Sequence, residues 1–478
     1  MKIKFEQLSC VLLSALAAVP ALRAELKLPA YMTDSMVVQR NEVLNIRGMA
    51  DGAVKVSVSW SYVPYAALAE SDGRFSMSIP TPSAGGPYKI EISDSNSRRV
   101  LSDVYSGELW LCSGQSNMEM PVGGWGKVLD YEQELASSTN PKVHLLQIKK
   151  TKSHVPSEEV GVNMSGWRTA TPKSVYNFSA IAYFYARQLA DELGVHVGVV
   201  DCTWSGTPGE AWTSLEGVRA VGGFEEKIRM LESADEDSIA MAVKSCNNPT
   251  VLYNGMIYPL RDMNIKGVLW YQGCGNVGRH VQYASLFRRM IGDWRRLWGK
   301  ADMPFHFVQL ASFQKPEAVQ PSSAWAALRQ AQADALVLPN TAMVTAIDLG
   351  DPVDIHPKNK QEVARRLCRS ALRHCYGRHD IVAEAPVVES CRFDGRMVRL
   401  TFDAAICADG NPRGFIVKSA DGTWSRPSAG LEGRDIVLVS YDSPIEEVRY
   451  NWADFPDGNI RGQGAALPVL PFKIEKNK

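Results

Sequence analysis

The sequence predicts a central α/β domain, a largely parallel sheet flanked by helices, with an all-β domain on either side. Three observations carry this. Between residues 106 and 378, short apolar runs alternate with stretches of helical periodicity, as strand–helix repeats do. In residues 25–105, and again in 379–478, apolar and polar residues alternate one by one, the pattern of half-buried strands. The chain has 478 residues, more than one hydrophobic core holds, so two or three domains are expected.

The elements follow in chain order. Residues 1–24 have the form of a secretory signal peptide: Lys2 and Lys4, an apolar run over 11–22, and a small residue, Ala24, after which the cut is expected. The run is too short to span a bilayer, and Cys10 stands ahead of most of it, which argues against a lipid anchor. The expected mature protein is soluble and exported, secreted or periplasmic. In 25–105, Val54, Val56, Val58 and Trp60 alternate with polar residues, as do Phe75, Met77 and Ile79, with Ser71-Asp72-Gly73 as the turn between them. A small supporting sandwich is expected there; a carbohydrate-binding module is the alternative.

In 106–378, residues 197–200, 267–270 and 305–308 are expected as short buried strands, and 343–347 as a further strand. Tyr283, Leu286, Phe287, Met290, Ile291, Trp294, Leu297 and Trp298 recur at helical spacing, and Gly299 stops the helix. A second helix runs through Ile181, Phe184, Tyr185, Leu189 and Leu193 to Gly194, and a third carries Val363, Leu367 and Ala371. In such a sheet the ligand site lies beyond the carboxyl ends of the strands. After residue 380, strands are expected over 397–402 and 436–439, with Ala420-Asp421-Gly422 as a turn. No low-complexity linker or repeat separates the domains, so they are expected to pack together.

Formal charge is zero, which argues against a nucleic-acid or anionic-membrane partner. Of nine cysteines, Cys10 leaves with the leader and eight remain; Cys112 and Cys202 lie in apolar runs where a free thiol acts as a small core residue. No Cys/His spacing resembles a zinc site, so no metal or other cofactor is expected. Oligomeric state is not legible.

The chemistry lies in four short segments at predicted strand ends. They are Gly114-Gln115-Ser116-Asn117, Cys202-Thr203-Trp204-Ser205-Gly206-Thr207, Trp270-Tyr271-Gln272-Gly273-Cys274-Gly275-Asn276, and residues 348–357 with Asp348, Asp351, Asp354 and His356. Each alone has an ordinary structural reading: a Gly-Ser turn, a helix-entry histidine, a capping asparagine. Together they supply a hydroxyl, a glycine amide, a carboxamide and an imidazole beside a carboxylate, the parts an esterase needs. A serine hydroxyl is a poor nucleophile until a base takes its proton, and an oxyanion needs preorganised N–H donors. Ser116 is the candidate nucleophile and His356 the base. Ser116 N–H, Gly206 N–H and the Asn276 side chain are candidate oxyanion donors.

These segments resemble the blocks of the SGNH hydrolases. More closely, the chain resembles the sialate O-acetylesterase family, through Leu28-Pro29, residues 109–120, Tyr253-Asn254-Gly255-Met256-Ile257-Tyr258-Pro259-Leu260 and residues 354–362. The resemblance implies an SGNH-type sheet, a carboxylic ester hydrolase, and removal of O-acetyl groups from sialic acids through an acetyl-enzyme. It carries Ser116, His356 and Asp354 over as the triad, and Gln115, Gln272 and Trp212 are expected around the substrate. Asp354 matches the family's Asp-x-His-Pro pattern; Asp348, at a predicted strand end, is the alternative carboxylate. In two places the chain departs from the family. Cys274 replaces a usual glutamate, and Ser205 replaces the first glycine of a usual Gly-Gly-Thr. Deacetylation of a polysaccharide such as xylan is the runner-up, and a sugar-binding protein on an impaired esterase fold is a third reading. Arg261, Arg279 and His280 are candidates for holding a sialate carboxylate, with surface charge the plainer reading for each.

Overall fold

The strand Arg98–Gly114 organises the molecule, because two sheets share it. The computed structural model describes residues 25–441, 443–464 and 466–476, so the expected leader lies outside the described residues. The second half of this strand sits in the middle of a parallel sheet with the order Thr341–Thr345, Phe305–Gln309, Gly267–Tyr271, Arg98–Gly114, Val197–Thr203, Asn140–Gln147. The short Arg168–Ala170 closes that end antiparallel. The α/β expectation is met: Val197–Thr203, Gly267–Tyr271 and Phe305–Gln309 are buried throughout, as strands covered on both faces must be.

The covering helices follow from side-chain alternation. Trp110 faces the helix Ala180–Leu193, with its ring 5.4 Å from that of Tyr185. Trp270 pairs in register with Ser113, out of phase with Trp110, and faces the helix His280–Leu297, 5.6 Å from Trp294. Ser179 caps the first helix by accepting from Ala182 N–H, and Gly194, at φ +70°, ends it. The helices Ala324–Ala333 and Lys360–Cys375 complete the two layers, each packed beside one of these.

The first half of Arg98–Gly114 pairs antiparallel with Gly85–Ser93 and parallel with Val37–Gln39, and Ala53–Val58 and Tyr65–Leu68 extend this sheet. Val43–Met49 and Arg74–Pro80 form a second layer, with Ile46, Phe75 and Ile79 buried in one core with Val54, Val56, Ile90 and Ile92. The expected turn at Ser71-Asp72-Gly73 is present, but the Val54 and Phe75 runs on either side of it do not pair. The intervening Tyr65–Leu68 takes the place beside Ala53–Val58, and the turn leads from it into the other layer.

The C-terminal region forms sheets around Val398, Leu400, Ile436, Leu438, Val448 and Tyr450. Arg329, fully buried in the α/β domain, donates to the carbonyls of Ala453 (2.7 Å) and Asp454 (3.0 Å) and so joins the two regions. Eight described cysteines are free thiols. Among the described residues no helix is long and apolar enough to cross a membrane.

Candidate active site

The central strand ends at Gly114, which lies opposite Thr203 and Tyr271 on its two neighbours. Its φ is +137°, and a Cβ there would stand 2.3 Å from the Tyr271 carbonyl oxygen, so only glycine fits. Gln115 is extended, its N–H on the Tyr271 carbonyl at 3.0 Å, and Ser116 opens the single helical turn Ser116–Glu119. The serine thus stands just beyond the carboxyl ends of three central strands, at 8 % exposure.

Its neighbours fasten the other three segments to it. Gln115 Oε1 accepts from the amides of Gly273 (3.1 Å) and Gly275 (3.2 Å). Asn117 Nδ2 donates to the Ile355 carbonyl at 2.9 Å. Glu119 accepts from Ser205 N–H (2.6 Å) and Ser205 Oγ (2.9 Å). One short stretch therefore reaches all three partner loops. Sequence reasoning missed the roles of Asn117 and Glu119, although both residues stand inside the motif it singled out.

His356 lies in the loop that enters the helix Lys360–Cys375, which Asn359 caps by accepting from Glu362 N–H. His356 Nδ1 is 3.4 Å from Asp354 Oδ1, and the same oxygen accepts the His356 backbone N–H at 2.8 Å. Asp351 in turn accepts from the amides of Val353 and Asp354, which curls the loop. Trp125 meets the imidazole edge-on at 5.3 Å. Burial holds the His356 pKa below its ordinary value; Asp354 opposes this, and the cation of Lys360 adds to it. Asp348 is spent elsewhere, on Arg366 (2.7 and 2.9 Å) and on Arg461 of the C-terminal region (3.0 Å). The carboxylate beside the imidazole is that of Asp354.

Gly206 has φ +74° with open space where a Cβ would go, whereas Ser205 is outside the left-handed region, so the serine there strains nothing. Asn276 is buried: Oδ1 accepts from Gly209 N–H (2.8 Å) and Gln272 Nε2 (2.7 Å), while Nδ2 donates to Glu210 (2.9 Å). One Nδ2 hydrogen is therefore committed to Glu210. Gln272 and Trp212 are fully enclosed, and both bond to Thr207, through its carbonyl and its hydroxyl respectively. They brace the second and third segments from behind. Burial pushes the Cys274 thiol up to about 12, so it is neutral. Arg261 pairs with Glu158 and His280 begins a helix. Arg279, bound to Glu210, lines a groove of about 540 Å³ with Gly206, Pro208, Phe224, Lys227 and Gly275.

The pattern of the carbohydrate esterase family described as sialic acid-specific acetylesterase matches residues 106–373, the stretch that carries all four segments. The chain belongs to this family. It is 30% identical over 437 residues to the sialate O-acetylesterases of Pongo abelii and of Homo sapiens, covering 81% of this chain and 79% of each relative. A carbohydrate acetylesterase of Xanthomonas citri shares its structure with a TM-score of 0.84 and 32% identity, over 94% of this chain and all of that one. The protein is thus a carboxylic ester hydrolase of the O-acetylated-carbohydrate class. In this esterase the four segments come together at one edge of the sheet, joined through Gln115, Asn117 and Glu119.

Proposed function

We propose that this esterase removes O-acetyl groups from sialic acids by serine catalysis on an SGNH-type arrangement, as an exported protein freed of residues 1–24. Ser116 Oγ attacks the acetyl carbonyl while His356 takes its proton, and Asp354 on Nδ1 stabilises the imidazolium that forms. The oxyanion rests on Ser116 N–H, Gly206 N–H and Asn276 Nδ2. Collapse breaks the ester bond, and His356 returns the proton to the departing sugar oxygen. Water, activated by the same imidazole, then releases acetate from Ser116. One observation carries this reading: the Asn117–Ile355 bond holds the His356–Asp354 pair against the turn that presents Ser116. The relatives named sialate O-acetylesterase support the choice of sugar.

A second reading, deacetylation of a neutral polysaccharide such as xylan, is favoured by the groove beside Gly206. Its ionic lining is Glu210, Glu225 and Glu226 against Lys227 and Arg279, and Arg279 already pairs with Glu210. Three carboxylates against two cations, one of them already held, make that lining a poor host for a sialate carboxylate. The test combines two measurements. Ser116→Ala should lower turnover of a chromogenic acetyl ester by ~10³-fold or more without lowering the melting temperature; retention of about a tenth of the rate would exclude Ser116 as nucleophile. Acetate release from O-acetylated sialic acid against acetylated xylan then decides the substrate, and a preference for xylan would favour the second reading.

A further inference from the structure

Lys360 is fully buried on the first turn of the helix behind the His356 loop. Its ammonium meets a neutral partner, Asn117 Oδ1, at 2.5 Å, and lies 5.7 Å from the centre of the Tyr271 ring. A buried charge without an ion pair is costly, so what it holds matters. Asn117 follows Ser116 and passes the contact on: its Nδ2 donates to the carbonyl of Ile355, the residue before His356. We propose that Lys360 is a positioning residue, whose ammonium fixes the Asn117 carboxamide and thereby the spacing between the Ser116 turn and the His356 loop. The proposal rests on the reading of Ser116 as nucleophile and His356 as base.

The ionisable groups bearing on this ammonium are Cys274, Asp354 and His356, and it lies over the ring of Tyr271; Arg329 acts in turn on Cys274 and Tyr271. Burial pulls Lys360 down to about 7, and the neutral Cys274 thiol supplies no countercharge. While charged, Lys360 gives Asn117 a charge-assisted bond and keeps His356 from holding a proton. Above neutrality the amine loses its proton and both effects fade. A descending limb of activity near neutral pH is therefore the signature expected of Lys360.

The experiment is kcat and KM against pH on p-nitrophenyl acetate for wild type, Lys360→Met, Asn117→Asp and Cys274→Glu, with thermal melts and with Ser116→Ala as control. Lys360→Met should lower kcat by ~10- to 100-fold through lost alignment, with KM little changed, and should abolish the descending limb. Cys274→Glu gives the ammonium a carboxylate and should move that limb up by about one pH unit or more. Asn117→Asp should move it likewise, yet lower kcat, because a carboxylate cannot donate to the Ile355 carbonyl. A folded Lys360→Met with wild-type kcat and profile overturns the proposal. Should that variant not fold, a limb that stays in place in both other variants overturns it. A Ser116→Ala enzyme that keeps its turnover refutes the serine reading instead; an inactive one beside an unchanged Lys360→Met refutes only the positioning role.

Discussion

Replacing Asp354 by Asn tests which carboxylate serves His356, and the structure sets the size of the effect. The carboxylate matters when the imidazole becomes charged in the transition state, so its loss subtracts the attraction between that charge and Asp354. At the observed 3.4 Å, Coulomb's law gives about 1 kcal/mol in water and about 5 kcal/mol at an effective dielectric constant of 20. The Asp354 side chain is 48% exposed and that of His356 28%. The expected loss therefore lies between, about 2–3 kcal/mol, or ~30- to 150-fold in kcat/KM. This is less than the ~10⁴-fold of an enclosed triad, because solvent screens Asp354. Asp348→Asn should act differently. Its carboxylate holds the buried Arg366, so its loss should cost about 2–4 kcal/mol of stability, softened by the remaining Glu362 partner, with kcat/KM within about threefold. Steady-state kinetics on one acetyl ester and urea denaturation of both variants provide the comparison. A greater kinetic loss in a folded Asp348→Asn than in Asp354→Asn would refute the assignment.

Two other outcomes follow from the same geometry. Because His356 must be unprotonated to act as base and burial holds its pKa below that of a free histidine, kcat/KM should rise with pH and reach half its maximum at a lower pH than a free imidazole would give; an ascending limb centred above 7 contradicts this. Glu119→Gln replaces the charge-assisted bonds to Ser205 with weaker ones and should lower kcat/KM by ~5- to 10-fold with little change in melting temperature; an unchanged rate would show that Glu119 does not align the Gly206 loop.

Local signals were legible in the sequence, and long-range partnerships were not. The apolar stripe from Tyr283 to Trp298 and the stop at Gly299 correspond to the helix His280–Leu297, and the run at 197–200 to Val197–Thr203. These depend on periodicity within a few turns, which neighbours in sequence supply. The choice between Asp348 and Asp354 stayed open because one partner that claims Asp348, Arg461, lies 113 residues away. The strand Tyr65–Leu68 was missed because it is too short and too exposed to register in the sequence. Lys360 sits in a polar run that reads as solvated surface. Only the fold brings Asn117, Tyr271 and Asp354 around it.

The strand Arg98–Gly114 also ties the two regions it serves by parity. Successive side chains on a strand point to opposite sides, so one inserted residue turns everything beyond it over. The strand already absorbs one irregularity at Asp103, whose φ is +54°. An insertion or deletion of a single residue between there and Trp110 would present Trp110 and Cys112 to the wrong helices and rotate the Ser116 turn away from its partner loops. The N-terminal layers and the hydrolytic edge are therefore held in one phase by this strand. The family pattern that begins at residue 106 starts inside this strand, so the matched stretch cuts through an element that has to fold as a whole.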